Sequence, residues 1–521
     1  MTYFKKNYYY IFLFFFIFIG AHFSINTGIT HDELHDFNVS VANKNFVLNF
    51  FFDKNLDTSY LVGTNKFYGS GFHYISSILE LFTVHIPQLS EFSLLGKKLL
   101  AKHISVFILF FISGLLLRKI IKLITKKKLY ANLSSIFYLL YPYLLGHSFF
   151  NVKDIPFLTF WLICTYFLIR IIKNYLTKEI ILKKHIFFLS LFSAYLLSIR
   201  ISGILIFVQY LIFILTMINV KKLSILNFLK DHLKDIIMVF FITMIFYIIL
   251  HPSYWENPFL IFDAIMYMSQ HAQTACTITL GECMKAQNLP ASYLPIWFFF
   301  KTPIIILCGL IAYFKIENEV AKKPLEQIIL VSLTLSILAI LILLIFFNVN
   351  LYDEIRQVMF LMPLIFIVAL SLLHFFSRKI SIISISFFII YFIVQNINIY
   401  PYNYIWLNNL SHITKVQNIF ELDYWGASTK NISNYFKSNV KNNACIITNR
   451  NDAINTLIPG DKCLVDFKKL HNKNQRPFYV ALMERGVNKG TPTNCELVFK
   501  EEKSINFSKE KVVLAKVFKC N

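Results

Sequence analysis

The sequence predicts a polytopic α-helical membrane protein that carries a small extracytoplasmic α/β domain at its C-terminal end. Three observations point there. Of the 521 residues only 15% are charged and 56% are hydrophobic, against roughly 25% charged in an ordinary soluble domain. Apolar stretches near the ~20 residues that cross a bilayer core recur along the chain. After about Gln395 the composition turns mixed and polar. Fifty-six Phe and 28 Tyr beside 15 Gly and 14 Pro exclude a disordered chain, because such chains lack the apolar surface that drives collapse.

Eleven apolar segments are predicted to be helical spans, at 8–25, 103–117, 129–146, 155–172, 186–199, 201–218, 236–250, 294–314, 328–347, 358–376 and 380–394. The first follows Lys5 and Lys6 without a small-x-small cleavage site, so it is expected to remain as a span. The fifth and sixth abut at Arg200 and are short enough to form a helical hairpin. Basic residues cluster after every even-numbered span: Arg118 to Lys128, Arg170 to Lys184, Lys221-Lys222, Lys315 to Lys323, and Arg378-Lys379. The positive-inside bias then puts those loops and the N-terminus in the cytoplasm, and the C-terminal segment outside. Much of the formal charge of +22 is therefore a topology signal, and no soluble basic stripe suggests a nucleic-acid partner.

The expected division is a transmembrane domain over 1–396, with a first external loop at about 26–102, and a soluble domain over 397–521. In the soluble domain the pattern predicts a helix over 428–436 and strands over 445–448, 463–467, 478–482, 496–500 and 512–518, with a turn at Pro459-Gly460. Cys164 and Cys308 fall inside spans. Cys276, Cys283, Cys445, Cys463, Cys495 and Cys520 fall in segments placed outside, where disulfides persist. The first two of these are spaced to clip one loop, and the last four allow three connectivities. No Cys/His spacing fits zinc, and no metal or cofactor is expected.

The polar residues that look deliberate concentrate on the external side. Thr30-His31-Asp32-Glu33-Leu34-His35-Asp36 follows the first span, Tyr141 to Phe157 carries His147, Lys153 and Asp154, and Ser198-Ile199-Arg200-Ile201-Ser202-Gly203 joins the fifth and sixth. Leu289 to Trp297 with Lys301-Thr302-Pro303, then Tyr352-Asp353-Glu354-Ile355-Arg356-Gln357, then Phe420 to Ser428, complete the set. These motifs, in this order, resemble the GT-C fold glycosyltransferases. Within them the likeness is to the family-39-like enzymes that use polyprenyl-phosphate sugars, which include protein mannosyltransferases and the aminoarabinose transferase, and to a bacterial subgroup of them. The resemblance implies a GT-C-like architecture in a bacterial inner membrane. It also implies an inverting transfer of a sugar from a polyprenyl-phosphate donor to a lipid, glycan or protein acceptor on the extracytoplasmic face, with the first acidic residue of the first external loop as general base.

The residues support that chemistry independently. Glycosyl transfer with inversion needs a base at the acceptor hydroxyl and cations for the departing phosphate. Asp32 is the expected base, with Glu33 or Asp154 orienting the acceptor or raising the base's pKa by like-charge repulsion. Arg200, Lys153 and Arg356 are the expected phosphate partners, since the guanidinium fork in particular matches phosphate oxygens. His147 and Tyr68 are counted with them as substrate contacts. Plainer readings stand beside these: Lys153 snorkelling at a helix end, Arg356 pairing locally with Asp353 or Glu354, His147 packing at the interface, and His31 and His35 hydrogen-bonding within their loop. Arg200 interrupts apolar sequence, where an ionisable group marks a functional site by default. A transporter or flippase for lipid-linked sugars, and a non-catalytic envelope-assembly subunit, are the rival functions; a transporter would place its charges near the bilayer midplane.

Overall fold

The computed structural model describes residues 2–178, 180–315, 323–413, 416–440, 444–458, 463–466, 478–485 and 490–520. Every predicted apolar segment is largely helical. Among the described residues eight helices are long and apolar enough to cross a membrane, and a ninth span results if one sharply bent pair counts as one. The chain is thus a multi-pass membrane protein with fewer straight spans than the eleven expected, for local reasons.

The first helix, α1 (Thr2–Ile25), leads through a short turn to α2 (Glu33–Phe52) and α3 (Gly71–Thr83), two helices within the segment expected as the first external loop. The next, α4 (Leu94–Thr125), begins at Ser93, whose hydroxyl accepts from Gly96 N at 3.1 Å, a helix-starting cap. Its 32 residues give about 48 Å of helix at 1.5 Å per residue, longer than the ~30 Å hydrocarbon core of a bilayer. The third predicted span is split into α5 (Lys128–Leu139) and α6 (Pro142–His147). Pro142 sits at the first turn of α6 and forces Tyr141 into an extended conformation. Gly146 allows close approach here, since a Cβ on it would lie 2.0 Å from the Tyr404 nitrogen.

The pair α7 (Asp154–Lys178) and α8 (Lys183–Ile199) is followed by Arg200 in an extended conformation, a short 3-10 turn, and α9 (Ile206–Lys221). After α10 (Ile225–Ile249) and the short apolar α11 (Leu260–Ser269), a hairpin of β1 (Cys276–Thr279) and β2 (Glu282–Lys285) is closed by the Cys276–Cys283 disulfide. The eighth predicted span is bent by 114° between α12 (Tyr293–Lys301) and α13 (Ile304–Ile311), where Pro303 removes a backbone donor. The bundle ends with α14 (Pro324–Phe346), α15 (Met362–Phe376) and α16 (Arg378–Ile399).

The bundle core is apolar and aromatic; the Trp161 and Phe360 rings pack at 4.1 Å between centroids, tilted by 36°, deep within it. Ile237, Phe240 and Phe241 of α10 and Ile383, Phe387 and Ile390 of α16 point outward. In water such patches would promote aggregation, and on a membrane span they face lipid.

The C-terminal segment forms a five-stranded sheet in the order β4-β3-β5-β7-β6, from β3 (Cys445–Thr448), β4 (Cys463–Asp466), β5 (Phe478–Met483), β6 (Cys495–Ser504) and β7 (Lys511–Cys520). The pairs β3–β4 and β3–β5 are parallel, and β7 runs antiparallel to β5 and β6. The predicted helix is present as α17 (Thr429–Asn439), whose Ile432 and Phe436 pack on Ile446, Ala481 and Val517. A second helix, α18 (Asn451–Leu457), follows β3. Cys495 and Cys520 are joined by a disulfide and Cys445 is disulfide-bonded as well. The turn at Pro459-Gly460, Phe467, and the side chain of Cys463 lie outside the described residues.

This sheet domain is tied to the bundle by polar contacts. Lys430 Nζ donates to Ile25 O at 2.8 Å, Thr429 Oγ1 to Ile29 O at 2.8 Å, and Tyr391 of α16 to Asn506 at 2.7 Å. A Cβ on Gly28 would meet Ala427 O at 2.3 Å, so glycine there allows the turn after α1 to lie directly against the C-terminal segment.

Candidate active site

The turn between α1 and α2 places the acidic cluster. Asp32 sits at the N-cap position of α2 with a helical backbone (φ −86°, ψ −16°). Successive helical residues point about 100° apart while residues three and four apart share a face. Asp32, His35 and Asp36 accordingly face one way, and Glu33 faces another.

A cavity of about 350 Å³ opens at this end of the bundle, lined among others by Asp32, Tyr68, Lys153, Asp154, Arg200 and Arg356. That volume lies in the roughly 300–1,000 Å³ range of small-molecule sites. Arg356 Nη1 donates to Asp32 Oδ2 at 3.2 Å, and Lys153 Nζ to Asp36 Oδ1 at 2.8 Å. Arg200 is ion-paired with Asp154, whose backbone N–H is received by Asn151 Oδ1 at 2.8 Å at the start of α7. Lys153 also lies over the Tyr68 ring at 5.0 Å. Gly69 lets the Tyr68 segment close onto α8, since a Cβ there would stand 2.3 Å from Ser198 O.

Burial alone would raise the Asp32 carboxyl; the Arg356 guanidinium and Lys153 override it and hold the group well below the usual carboxylate range. Asp36 is raised, because its burial outweighs the opposing Lys153 ammonium. His31 is lowered by burial and by Arg450, which donates to its Nδ1 and so meets a neutral ring. Tyr68 is pushed up by burial and by neighbouring Tyr352 and Asp36, and stays protonated; its hydroxyl is hydrogen-bonded to His271 at 3.1 Å.

Of the residues expected from sequence, Asp32, Asp154, Arg200, Lys153, Arg356 and Tyr68 meet at this one cavity. Glu33 and His147 are placed elsewhere. Glu33 is buried, accepting from Thr30 N and Thr30 Oγ1, each at 2.7 Å, and meeting His103 Nε2 at 2.8 Å, so it shapes the turn that presents Asp32. His147 is sealed among Tyr143, Phe150, Tyr404 and Trp425 and is linked to the cavity through Asn151, whose amide bonds both His147 and Asp154 at 3.0 Å. The sequence motif contains Asp36 without assigning it a role, and His271 and Asn350 were missed. Asp36 was available from the i to i+4 spacing had a helix been recognised. Asn350 lines the cavity, is buried, and has no partner for either amide atom among the described residues.

A second, apolar groove of about 560 Å³ lies in the crook between α12 and α13, walled by Phe298, Phe299, Leu307, Leu338 and Leu341 among others. Leu294 and Ile345 continue it into a smaller cavity that reaches Val349 and Leu351, the chain neighbours of the site residues Asn350 and Tyr352.

Fold and site together define a polytopic membrane protein with a charged cavity at the end of its bundle that carries the C-terminal domain. Among solved structures, the crystal structure of ArnT from Cupriavidus metallidurans bound to undecaprenyl phosphate matches it over 98% of this chain and 98% of that chain, with a TM-score of 0.50 and 11% sequence identity. At that identity the likeness speaks to the fold. No family model matches the sequence, and no curated protein matches it.

Proposed function

We propose that the protein is an inverting, family-39-like glycosyltransferase that moves a sugar from a polyprenyl-phosphate donor to a lipid, glycan or protein acceptor on the extracytoplasmic face of a bacterial inner membrane. The observation that carries the reading is the convergence of one partly exposed carboxylate, Asp32, and three cations, Lys153, Arg200 and Arg356, on a single cavity. Asp32 takes the proton of the acceptor hydroxyl as its oxygen attacks the anomeric carbon. The bond from that carbon to the phosphate oxygen breaks, and the cations receive the polyprenyl phosphate. An arriving phosphate shares Arg356 and Lys153, weakens the field that holds Asp32 low, and so restores its basicity when donor is present. Asn350 offers an unpaired donor and acceptor to the sugar. The apolar groove suits the polyprenyl chain. Disulfides in β1–β2 and the sheet domain support an oxidising compartment for that end.

The test is purified protein in detergent or liposomes with a panel of synthetic polyprenyl-phosphate sugars, paired with mass spectrometry of envelope glycans in a deletion strain. Release of polyprenyl phosphate matched by transferred sugar is expected, and it is lost in Asp32→Asn. Movement of donor across the bilayer without release would favour a flippase. A C-terminal alkaline phosphatase fusion is expected to be active; an active cytoplasmic reporter at that end would overturn the orientation.

A further inference from the structure

Asp353 and Glu354 both adopt left-handed backbone conformations, with φ of 58° and 65°, a region that residues with side chains rarely enter. Such a turn persists where its surroundings over-determine it, and here they do. Asp353 N donates to Thr277 Oγ1 at 2.8 Å, Tyr293 OH to Glu354 O at 3.2 Å, and the Glu354 carboxylate pairs with Lys301 at 2.8 Å. The remaining clamp comes from the C-terminal domain: Arg485, just after β5, is paired with Asp353 through Nη2 and with Glu421 through Nε.

What the turn delivers is Arg356. Its Nε lies 3.5 Å from Asp353 Oδ2, its Nη1 reaches Asp32, and its guanidinium lies over Trp425 at 4.7 Å. Asp353 is therefore shared between two guanidiniums, with Arg485 on Oδ1 and Arg356 on Oδ2. A carboxylate with both oxygens open prefers a two-pronged pair with a single arginine. With Oδ1 taken, Arg356 makes only a long contact to Asp353 and keeps its Nη edge turned to the cavity.

We propose that Arg485 is a positioning residue for Arg356, by which the C-terminal domain holds the phosphate-binding guanidinium in the cavity of the bundle through Asp353. This rests on the reading of the cavity as a phosphate site. Without Arg485, Asp353 captures Arg356 and draws it away from Asp32 and from the donor phosphate. Arg485 is 44% exposed, so its removal opens no cavity in the packed core, and the loss of its pair with Glu421 is common to the single and double variants below.

The experiment measures the Kd of full-length protein for undecaprenyl phosphate in detergent, and kcat and KM for donor where turnover is available. Arg485→Ala is expected to weaken binding by about 5- to 10-fold, a typical magnitude for coupling through a shared residue. Arg485→Lys, which keeps one ion pair, is expected to fall between it and the wild type. Adding Asp353→Asn to Arg485→Ala removes the competitor and is expected to bring binding back to within twofold of wild type. That rescue separates positioning from a merely structural role. Wild-type binding in Arg485→Ala, or no rescue in the double variant, overturns the positioning role while a weak Arg356→Ala leaves the phosphate site standing. Wild-type binding in Arg356→Ala overturns the site and, with it, this proposal.

Discussion

Two sets of ion pairs sit close together at the end of the bundle that carries the C-terminal domain and are built from the same residue types. Around the cavity, Asp32 with Arg356 and Asp154 with Arg200 each keep one partner partly open: the Asp32 side chain is 26% exposed and Arg200 21%. Behind it, Lys301 and Glu354 are both 0% exposed, with Lys301 also under the Tyr143 ring at 4.6 Å and donating to Tyr404 O at 3.2 Å. Charges beside a cavity remain partly hydrated and can exchange a protein partner for a ligand anion. A sealed pair has no such exchange open to it, and losing one member strands the other in a low dielectric. The first set is therefore suited to chemistry and the second to holding the turn that aims Arg356.

Substitutions can separate the two. Asp32→Asn is expected to have the largest effect, lowering sugar transfer by about 10²- to 10⁴-fold while donor binding and the thermal midpoint in detergent persist. A parallel loss of midpoint would erase the distinction. Lys301→Ala is expected to destabilise the protein by about 3–5 kcal/mol, because Glu354 is left buried and unpaired. Pairing Lys301→Met with Glu354→Gln should return most of that stability, and failure to do so in thermal unfolding would count against a sealed structural pair.

Smaller effects test the seam between bundle and sheet domain. Opening the Cys495–Cys520 link, across a separation of 25 residues, is expected to loosen the sheet domain by about 2–4 kcal/mol, read as faster proteolysis of the tail after reduction. Quantitative alkylation of native protein without reductant would show that the link does not form. The smallest effect is a pH dependence. Glu421, paired with Arg485, and Glu484, paired with Arg450 at 3.2 Å, are each raised to about 7, by burial above all and against those arginines. A carboxyl whose folded pKa exceeds its unfolded value contributes stability below the ordinary Glu range and loses it as pH rises toward the folded value. The midpoint is thus expected to fall between about pH 5 and pH 7, and Glu484→Gln to reduce that fall by roughly 2–4 °C.

Much of this was legible in the sequence because the signals are local. The helix at α17 and the strands β3 to β7 followed from periodicity, and the Cys276–Cys283 clip from spacing. The eleven apolar segments were found, but length alone hid the breaks at Pro142 and Pro303, where a missing donor bends an apolar run without making it more polar. The Asp32-Glu33 dipeptide read as an acidic pair, yet the helical start of α2 turns the two side chains to different partners. Asn350, His271 and Arg485 gave no local signal at all.

The sequence by itself determined the solvent in which this protein folds, since apolar runs of some twenty residues recur along a chain with few charges, and together they expose more apolar surface than one protein core can cover outside a bilayer. It also named most of the ionisable groups that matter, because a charge between spans is conspicuous against apolar neighbours. Only the tertiary structure decided which of those charges share a cavity. That depends on contacts between residues as distant as Asp32 and Arg356, or Asp353 and Arg485, which are set by how the helices and the sheet domain pack and leave no trace in the spacing of either residue along the chain.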